Sequence, residues 1–117
     1  MSRFVILEHD HPFFHWDLML EVPTVDSLWT WRLLVDPATS GAIAAERLSD
    51  HRRRYLDFEG PIGGNRGSVT RWDGGSYELL GEESDGSLLL EFRGARRQGV
   101  ACLVPREQRW VLEFQEP

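Results

Sequence analysis

The sequence predicts an all-β protein, an antiparallel barrel or sandwich of about eight strands with at most one short helical turn. Two observations predict this class. Short runs of branched and aromatic residues recur along the chain, and Gly, Pro and Asp separate them at about ten-residue spacing. Helical patterning is nearly absent, because only residues 42–48 combine good helix formers, and that run is short enough to be one turn or an irregular strand.

The predicted strands begin near the N-terminus and continue to the end of the chain. They cover residues 4–8, 15–22, 28–35, 55–59, 68–72, 76–80, 87–93, 98–104 and 109–114. An Asp-Pro pair at 36–37 ends the third strand, and the glycine-rich residues 60–67 are predicted to form a loop. The Asp-Gly-Gly sequence at 73–75 predicts a hairpin turn between the two strands that flank it.

Alternation along the second strand separates a polar face from an apolar face, because successive side chains point to opposite sides. The polar face carries His15, Asp17, Met19 and Glu21. The apolar face carries Trp16, Leu18, Leu20 and Val22. The same reasoning predicts that the core contains Trp16, Leu18, Leu20, Trp29, Trp31, Val69, Leu90, Cys102 and Leu112.

Length and composition limit the class of protein. We expect one domain, residues 1–117. No apolar run approaches the roughly 20 residues that span a bilayer, and the N-terminus lacks the apolar segment of a signal peptide, so no membrane anchor and a cytoplasmic location are expected. The single cysteine, Cys102, lies in the apolar run VACLV and is expected to be a packed strand residue rather than a nucleophile.

The charges are unevenly distributed. The net charge is -6, and all 13 basic residues are arginine. The absence of lysine excludes any mechanism that needs a covalent lysine intermediate. An acidic excess argues against tight non-specific binding to long duplex DNA. Arginine clusters at 52–54 and 93–97 still allow a local basic surface, although a solvated face is the simpler interpretation of the first cluster.

Two histidines and an aspartate are spaced as a metal site. His9 ends the first predicted strand, and Pro12 forces the chain to turn before His15. A hairpin of this kind returns His9 beside His15 and Asp17. Two neutral imidazoles and one carboxylate leave coordination positions open, which suits catalytic Mn²⁺, Zn²⁺ or Fe²⁺ better than a closed structural site. A surface hairpin with unconnected histidines is the alternative interpretation of the spacing alone.

Three motifs occur in an order typical of one known family. They are FVILEHD with HWDLMLE at 4–10 and 15–21, DHRRRYLDFEG at 50–60, and GSVTRWDGGSYEL at 67–79. Together they resemble the 3′-phosphoesterase domain at the N-terminus of bacterial DNA ligase D, an end-joining enzyme. This domain is also known as a free-standing protein. The family reads His-Asp, then Leu-His-Tyr-Asp-Phe-Arg-Leu-Glu, then Asp-His with a following Tyr, then Gly-x-Val-x-x-Trp-Asp-x-Gly-x-Tyr.

The resemblance implies a small antiparallel β-barrel with its active site in a groove on the barrel face. It also implies removal of a 3′-terminal ribonucleotide or 3′-phosphate from nucleic acid, in DNA repair and end joining. The family's ligands carry over onto His9, His15 and Asp17, which would hold one divalent metal, Mn²⁺ first and Zn²⁺ or another transition metal as the alternative. His51 and Tyr55 match the family's catalytic histidine and tyrosine.

Two departures from the family lie in or beside these motifs. Met19 stands where the family has arginine, and Ser49 where it has glutamate before Asp-His. If the protein is an enzyme of reduced activity, Arg32, Arg52 or Arg66 is expected to supply the missing phosphate contact. The alternative is a weakly active or inactive metal-binding module that binds DNA ends or a protein partner. The expected partners are a nucleic-acid 3′ end, DNA first, and end-joining proteins, with the chain itself monomeric.

Overall fold

Nine strands and one 3₁₀ helix form the architecture of residues 1–115. The computed structural model describes residues 1–115. The strands are β1 (Ser2–His9), β2 (His15–Glu21), β3 (Ser27–Leu33), β4 (Ala42–Arg52), β5 (Gly60–Pro61), β6 (Ser68–Glu82), β7 (Leu88–Gly94), β8 (Gln98–Arg106) and β9 (Arg109–Phe114). The 3₁₀ helix, Arg53–Leu56, follows β4 directly. Residues 116–117, the end of the predicted domain, lie outside the described part of the chain.

Eight of the strands close into an antiparallel barrel. Neighbouring strands run in the order β1-β2-β3-β4-β9-β8-β7-β6, and β1 pairs with β6 to complete the ring. The short β5 adds to the start of β6, where Gly60 pairs with Val69. The all-β prediction, with a single short helical turn, is therefore confirmed. Closure leaves no free edge in the ring, which protects an all-β chain from edge-to-edge association.

The barrel interior holds the main core. Its buried side chains include large residues from almost every strand of the ring, among them Phe4, Leu18, Leu20, Trp31, Ile43, Leu90, Phe92, Leu103 and Leu112. Trp16 and Trp29 are half-buried and pack against this core, so they contribute less than predicted. Cys102 is also only half-buried. Because Ala101 and Leu103 face inward, alternation turns Cys102 outward, next to Leu89 and Glu113.

A second apolar cluster lies on the outside of the barrel. This outer cluster consists of Val5, Leu7, Met19, Leu28, Leu56 and Val69, and the half-buried Tyr55, Phe58 and Ile62 pack against it. The segment from the 3₁₀ helix to the loop before β6 therefore covers the outer face of β1, β2 and β3. Val69, predicted to be in the core, is buried here rather than inside the barrel.

Two predictions from local patterns were wrong. Residues 55–59 were expected to be a strand, but the chain turns as a 3₁₀ helix so that Leu56 can enter the outer cluster. The Asp-Gly-Gly sequence at 73–75 is not a turn, because β6 runs straight through it. These glycines serve close packing: a Cβ on Gly75 would collide with the carbonyl oxygen of Arg93 on β7.

Two further features bear on the predictions. Residues 42–48, ambiguous in sequence, are part of β4. Among residues 1–115, no helix is long and apolar enough to cross a membrane.

Candidate active site

Three side chains converge on the outer face where β1 meets β2. His9 ends β1, His15 begins β2, and the two residues are directly paired across the hairpin. Asp17 lies on the same face, one alternation further along β2. Its Oδ2 lies 3.3 Å from His9 Nδ1, and its Oδ1 lies 3.1 Å from His15 Nε2. The spacing that sequence analysis singled out therefore brings these three residues together.

Backbone carbonyls determine which ring nitrogens face the centre of this group. His15 Nδ1 lies 2.8 Å from the carbonyl oxygen of Phe13, and His9 Nε2 lies 2.8 Å from that of Arg66. A carbonyl oxygen can only accept, so these two nitrogens carry the protons. In the neutral rings, His9 Nδ1 and His15 Nε2 then direct lone pairs at the Asp17 carboxylate. Such backbone contacts commonly orient metal-binding histidines.

The facing lone pairs need a cation between them. One ligand atom from each of His9, His15 and Asp17 lies within 4.8 Å of the other two. His15 Nε2 and Asp17 Oδ1 are buried and have no hydrogen-bond partner in the described chain when the rings are neutral. Three acceptors without a donor are unfavourable in a buried site. The donor set therefore fits a divalent metal with open coordination positions.

Without a metal, protons on the two rings can supply the positive charge beside Asp17, and the pKa values of Asp17 and His9 are shifted accordingly. Burial opposes ionisation of Asp17, but hydrogen bonds from the His15 and His9 rings, when protonated, outweigh it and lower the Asp17 pKa to about 2. The hydrogen bond to Asp17 raises the pKa of His9, against the smaller opposing effect of burial. Asp17 is consequently a carboxylate at any physiological pH.

A cleft of about 500 Å³ opens beside this group. His9 and Asp17 lie on one side of the cleft, and His51 and Tyr55 line it as well. His51 comes from the end of β4 and Tyr55 from the 3₁₀ helix that follows. Their rings are 5.9 Å apart in an edge-on arrangement. Residues from two distant parts of the sequence thus meet at one opening.

An irregularity in β4 turns His51 towards the cleft. Leu48 pairs with Thr30 and His51 pairs with Leu28, so three steps along β4 match two steps along β3. Regular alternation would have put His51 on the same side as the inward-facing Ala45. The extra residue of this bulge moves it to the outer face. His51 Nδ1 donates to the carbonyl oxygen of Ser49 at 2.9 Å, which leaves Nε2 free.

The three arginines predicted to bind phosphate all line the same cleft. Arg32 is paired with Asp17 across β2 and β3, and its Nη1 lies 3.7 Å from Glu46. Arg52 is exposed at the end of β4, and Arg66 donates from Nε to the carbonyl oxygen of Gly63 at 2.8 Å.

A fourth arginine in the cleft, Arg54, was missed in the sequence. Arg53 and Arg54 both belong to the 3₁₀ helix, but their side chains differ in their contacts, because Arg53 pairs with Glu21 and Arg54 lines the cleft. Arg54 lies over the rings of Tyr55 and Phe58, with its Cζ 5.4 and 4.4 Å from their centroids. The triple arginine was the only signal in the sequence, and it did not distinguish among its members.

The comparison with known proteins agrees with this geometry. A sequence model of the DNA ligase D 3′-phosphoesterase domain matches residues 7–105 of the 117-residue chain. The chain belongs to this family. The resemblance inferred from the three motifs is confirmed, and the match includes the histidine–aspartate group as well as His51 and Tyr55. No curated protein matches the chain.

Membership of the DNA ligase D 3′-phosphoesterase family makes the substitution at Met19 the notable feature of the cleft. Met19 lies two residues beyond Asp17 on the same face and is 1% exposed, within the outer cluster. It lines the cleft without offering a charge. At the position where the family motif has arginine, this chain therefore has an apolar side chain that belongs to the outer cluster and lies at the edge of the cleft.

Proposed function

We propose that the protein is a metal-dependent phosphoesterase that removes a 3′-phosphate or a 3′-terminal ribonucleotide from nucleic-acid ends, with DNA as the first expected substrate and Mn²⁺ as the expected metal. One observation carries this proposal. Three facing acceptors, two of them buried and without a hydrogen-bond partner in the described chain, lie beside a cleft lined by His51, a tyrosine and four arginines, in a chain of the 3′-phosphoesterase family.

His9, His15 and Asp17 are the proposed metal ligands, through the ring nitrogens and carboxylate oxygens that face each other. A divalent metal held there would supply Lewis-acid polarisation of a phosphoryl oxygen and a more acidic bound water. The Phe13 and Arg66 carbonyl oxygens hold the two rings in the correct tautomer.

His51 and Tyr55 are the proposed catalytic residues. The hydrogen bond from His51 Nδ1 to Ser49 leaves Nε2 to exchange a proton with the substrate phosphate or its leaving oxygen. The Tyr55 hydroxyl is proposed to orient the same phosphate. Arg32, Arg52, Arg54 and Arg66 are proposed to neutralise the phosphate charge, since guanidinium groups bind phosphate through paired N–H donors.

A second candidate function has its own supporting observation. With Met19 buried among apolar side chains, the cleft lacks the arginine that the family motif has two residues after the aspartate. A single preorganised donor to a developing charge is worth about 10²–10³ in rate. A protein without that donor could bind a metal and a 3′ end and release phosphate very slowly or not at all.

The deciding experiment measures inorganic phosphate released from a DNA strand that ends in a 3′-phosphate, with purified protein and Mn²⁺. We expect slow release by the natural protein and none by His51→Ala, which should still bind metal. Met19→Arg should raise the rate markedly if the rest of the site is intact. Circular dichroism must show that each variant is folded. No release above the no-enzyme control from the natural protein and from Met19→Arg, with metal bound, would establish the binding module instead.

A further inference from the structure

Two phenylalanines are unusually exposed beside the candidate metal centre. Phe13 and Phe14 lie in the loop between β1 and β2, and their relative exposures are 50% and 57%. Every other Phe, Tyr and Trp side chain of residues 1–115 is buried or half-buried. Exposed aromatic side chains clustered near a candidate site are frequently contact surfaces for a ligand.

The two rings lie on different sides of this loop. The centroid of the Phe13 ring is 5.4 Å from that of His15, on the face of the candidate metal centre. The Phe14 ring instead packs edge-on against Trp16, 5.1 Å away, and Trp16 packs against the barrel core. Only Phe13 therefore borders the site.

Two contacts place Phe13 beside the candidate metal centre. Its carbonyl oxygen accepts the hydrogen bond from His15 Nδ1, and the Cζ of Arg32 lies over its ring, 5.2 Å from the centroid. The guanidinium lies over one face of the ring, and the side chain is still 50% exposed to solvent. A flat apolar surface thus stands next to a charged group proposed to bind phosphate.

We propose that Phe13 is the stacking platform for the terminal nucleobase of a strand whose 3′-phosphate lies at His9, His15 and Asp17. This inference rests on the proposed function and adds a positioning residue to it. A nucleotide carries a flat π-face and a phosphate within one residue, which matches an aromatic ring bordering an arginine and a metal-type donor set. Stacking on an aromatic side chain accepts any base, so the platform would position the end without selecting its sequence.

The test compares two short single-stranded DNA probes with a 5′ fluorophore and a 3′-phosphate. One probe carries an ordinary terminal nucleotide and the other a terminal abasic nucleotide. Binding is measured by fluorescence anisotropy with Mn²⁺ present, because without a metal the Asp17 carboxylate would repel the 3′-phosphate. Gel analysis of each probe after the measurement checks that its 3′-phosphate is intact. We expect the natural protein to bind the base-bearing probe about tenfold more tightly. Phe13→Ala should lose this preference and Phe13→Trp should keep it.

Phe14→Ala is the matched control, since it removes an equally exposed ring from the same loop, and it should keep the preference. The proposal is overturned if the natural protein shows no preference, if Phe13→Ala retains it, or if Phe14→Ala loses it as well. A base preference without phosphate release would reject the proposed phosphoesterase and leave the platform standing. Phosphate release without a base preference would reject the stacking platform and leave the proposed phosphoesterase standing.

Discussion

At the scale of single residues, the behaviour of Asp17 follows from its surroundings. The carboxyl group is 2% exposed, which by itself would favour the neutral form. The two imidazoles beside it reverse that preference and keep it charged. A permanently charged carboxylate between two ring nitrogens attracts either protons or a metal ion. The two outcomes can be distinguished by measuring metal binding and acid stability.

The first residue-scale prediction concerns metal affinity. His9→Ala or Asp17→Ala should each weaken Mn²⁺ or Zn²⁺ binding at least tenfold in calorimetry, because each removes one of the proposed protein ligands. His11→Ala is the control, since this exposed histidine of the same loop is not part of the converging group. Affinity should also fall as the pH falls through the raised pKa of His9, because protons compete for the ring nitrogen. Unchanged affinity in both alanine variants would exclude the site.

The second residue-scale prediction concerns acid stability without metal. The Asp17 pKa of about 2 lies below its ordinary value of 3.8. The charged group therefore stabilises the fold above pH 3.8, by roughly 2 kcal/mol, and this contribution is lost as the pH falls through about 2. Asp17→Asn should unfold with a shallower pH dependence between pH 5 and 2 in urea titrations. The same acid slope in both proteins would contradict the prediction.

At the scale of elements, one buried carboxylate connects three strands. Asp73 lies on β6 and is 4% exposed. Its oxygens accept from the backbone N–H groups of Ala95, Arg96 and Arg97 at 2.9, 3.2 and 2.8 Å, in the turn between β7 and β8. The turn carries Arg96 and Arg97 over the rings of Trp72 and Phe114. Asp73, which the sequence suggested was part of a turn, instead anchors another turn from within a strand.

This anchor predicts a large stability difference between two similar substitutions. Asp73→Ala leaves three part-buried backbone donors without their acceptor, so it should cost about 2–4 kcal/mol and lower Tm by roughly 10 °C. Asp85→Ala is the matched control. Asp85 also accepts from one turn N–H, that of Ser87 at 2.8 Å, but it is exposed, and its loss should change Tm little. Equal shifts by calorimetry would show that Asp73 is not an anchor.

At the scale of the whole molecule, charge limits how nucleic acid can bind. The protein carries a net charge of -6, so most of its surface repels a phosphate backbone. The arginines lining the cleft form a local exception on the outer face of the barrel. This distribution favours contact with the end of a strand over contact along its length.

The whole-molecule prediction is a shallow salt dependence of DNA binding. Each neutralised phosphate of a single strand contributes about -0.7 to the slope of log K against log salt, so four cleft arginines limit the slope to roughly -3. Arg52→Gln removes about one phosphate contact and should make the slope shallower by about 0.7. Arg106→Gln, at the turn between β8 and β9 and not among the residues that line the cleft, should leave it unchanged. A much steeper slope, or equal effects of both variants, would indicate binding along the barrel surface.

Much of the fold could be predicted from local sequence. Alternating apolar residues determined most of the strands, and the apolar side of β2 faces the barrel core as expected. The converging histidines and aspartate were also predictable, because a hairpin relates His9 to His15 directly and a strand relates His15 to Asp17. These are relations between neighbours in one short segment, and backbone geometry alone determines them.

Only the tertiary structure decided the features that depend on distant contacts. The bulge in β4 moved His51 to the outer face, and burial of Leu56 converted an expected strand into a 3₁₀ helix that brings Arg54 into the cleft. Gly75 lies within β6, where a Cβ would collide with a carbonyl oxygen of the neighbouring strand, and Met19 lies in a cluster contributed by five separate segments. In each case the local sequence allowed more than one conformation, and packing against residues far away in the chain selected one of them.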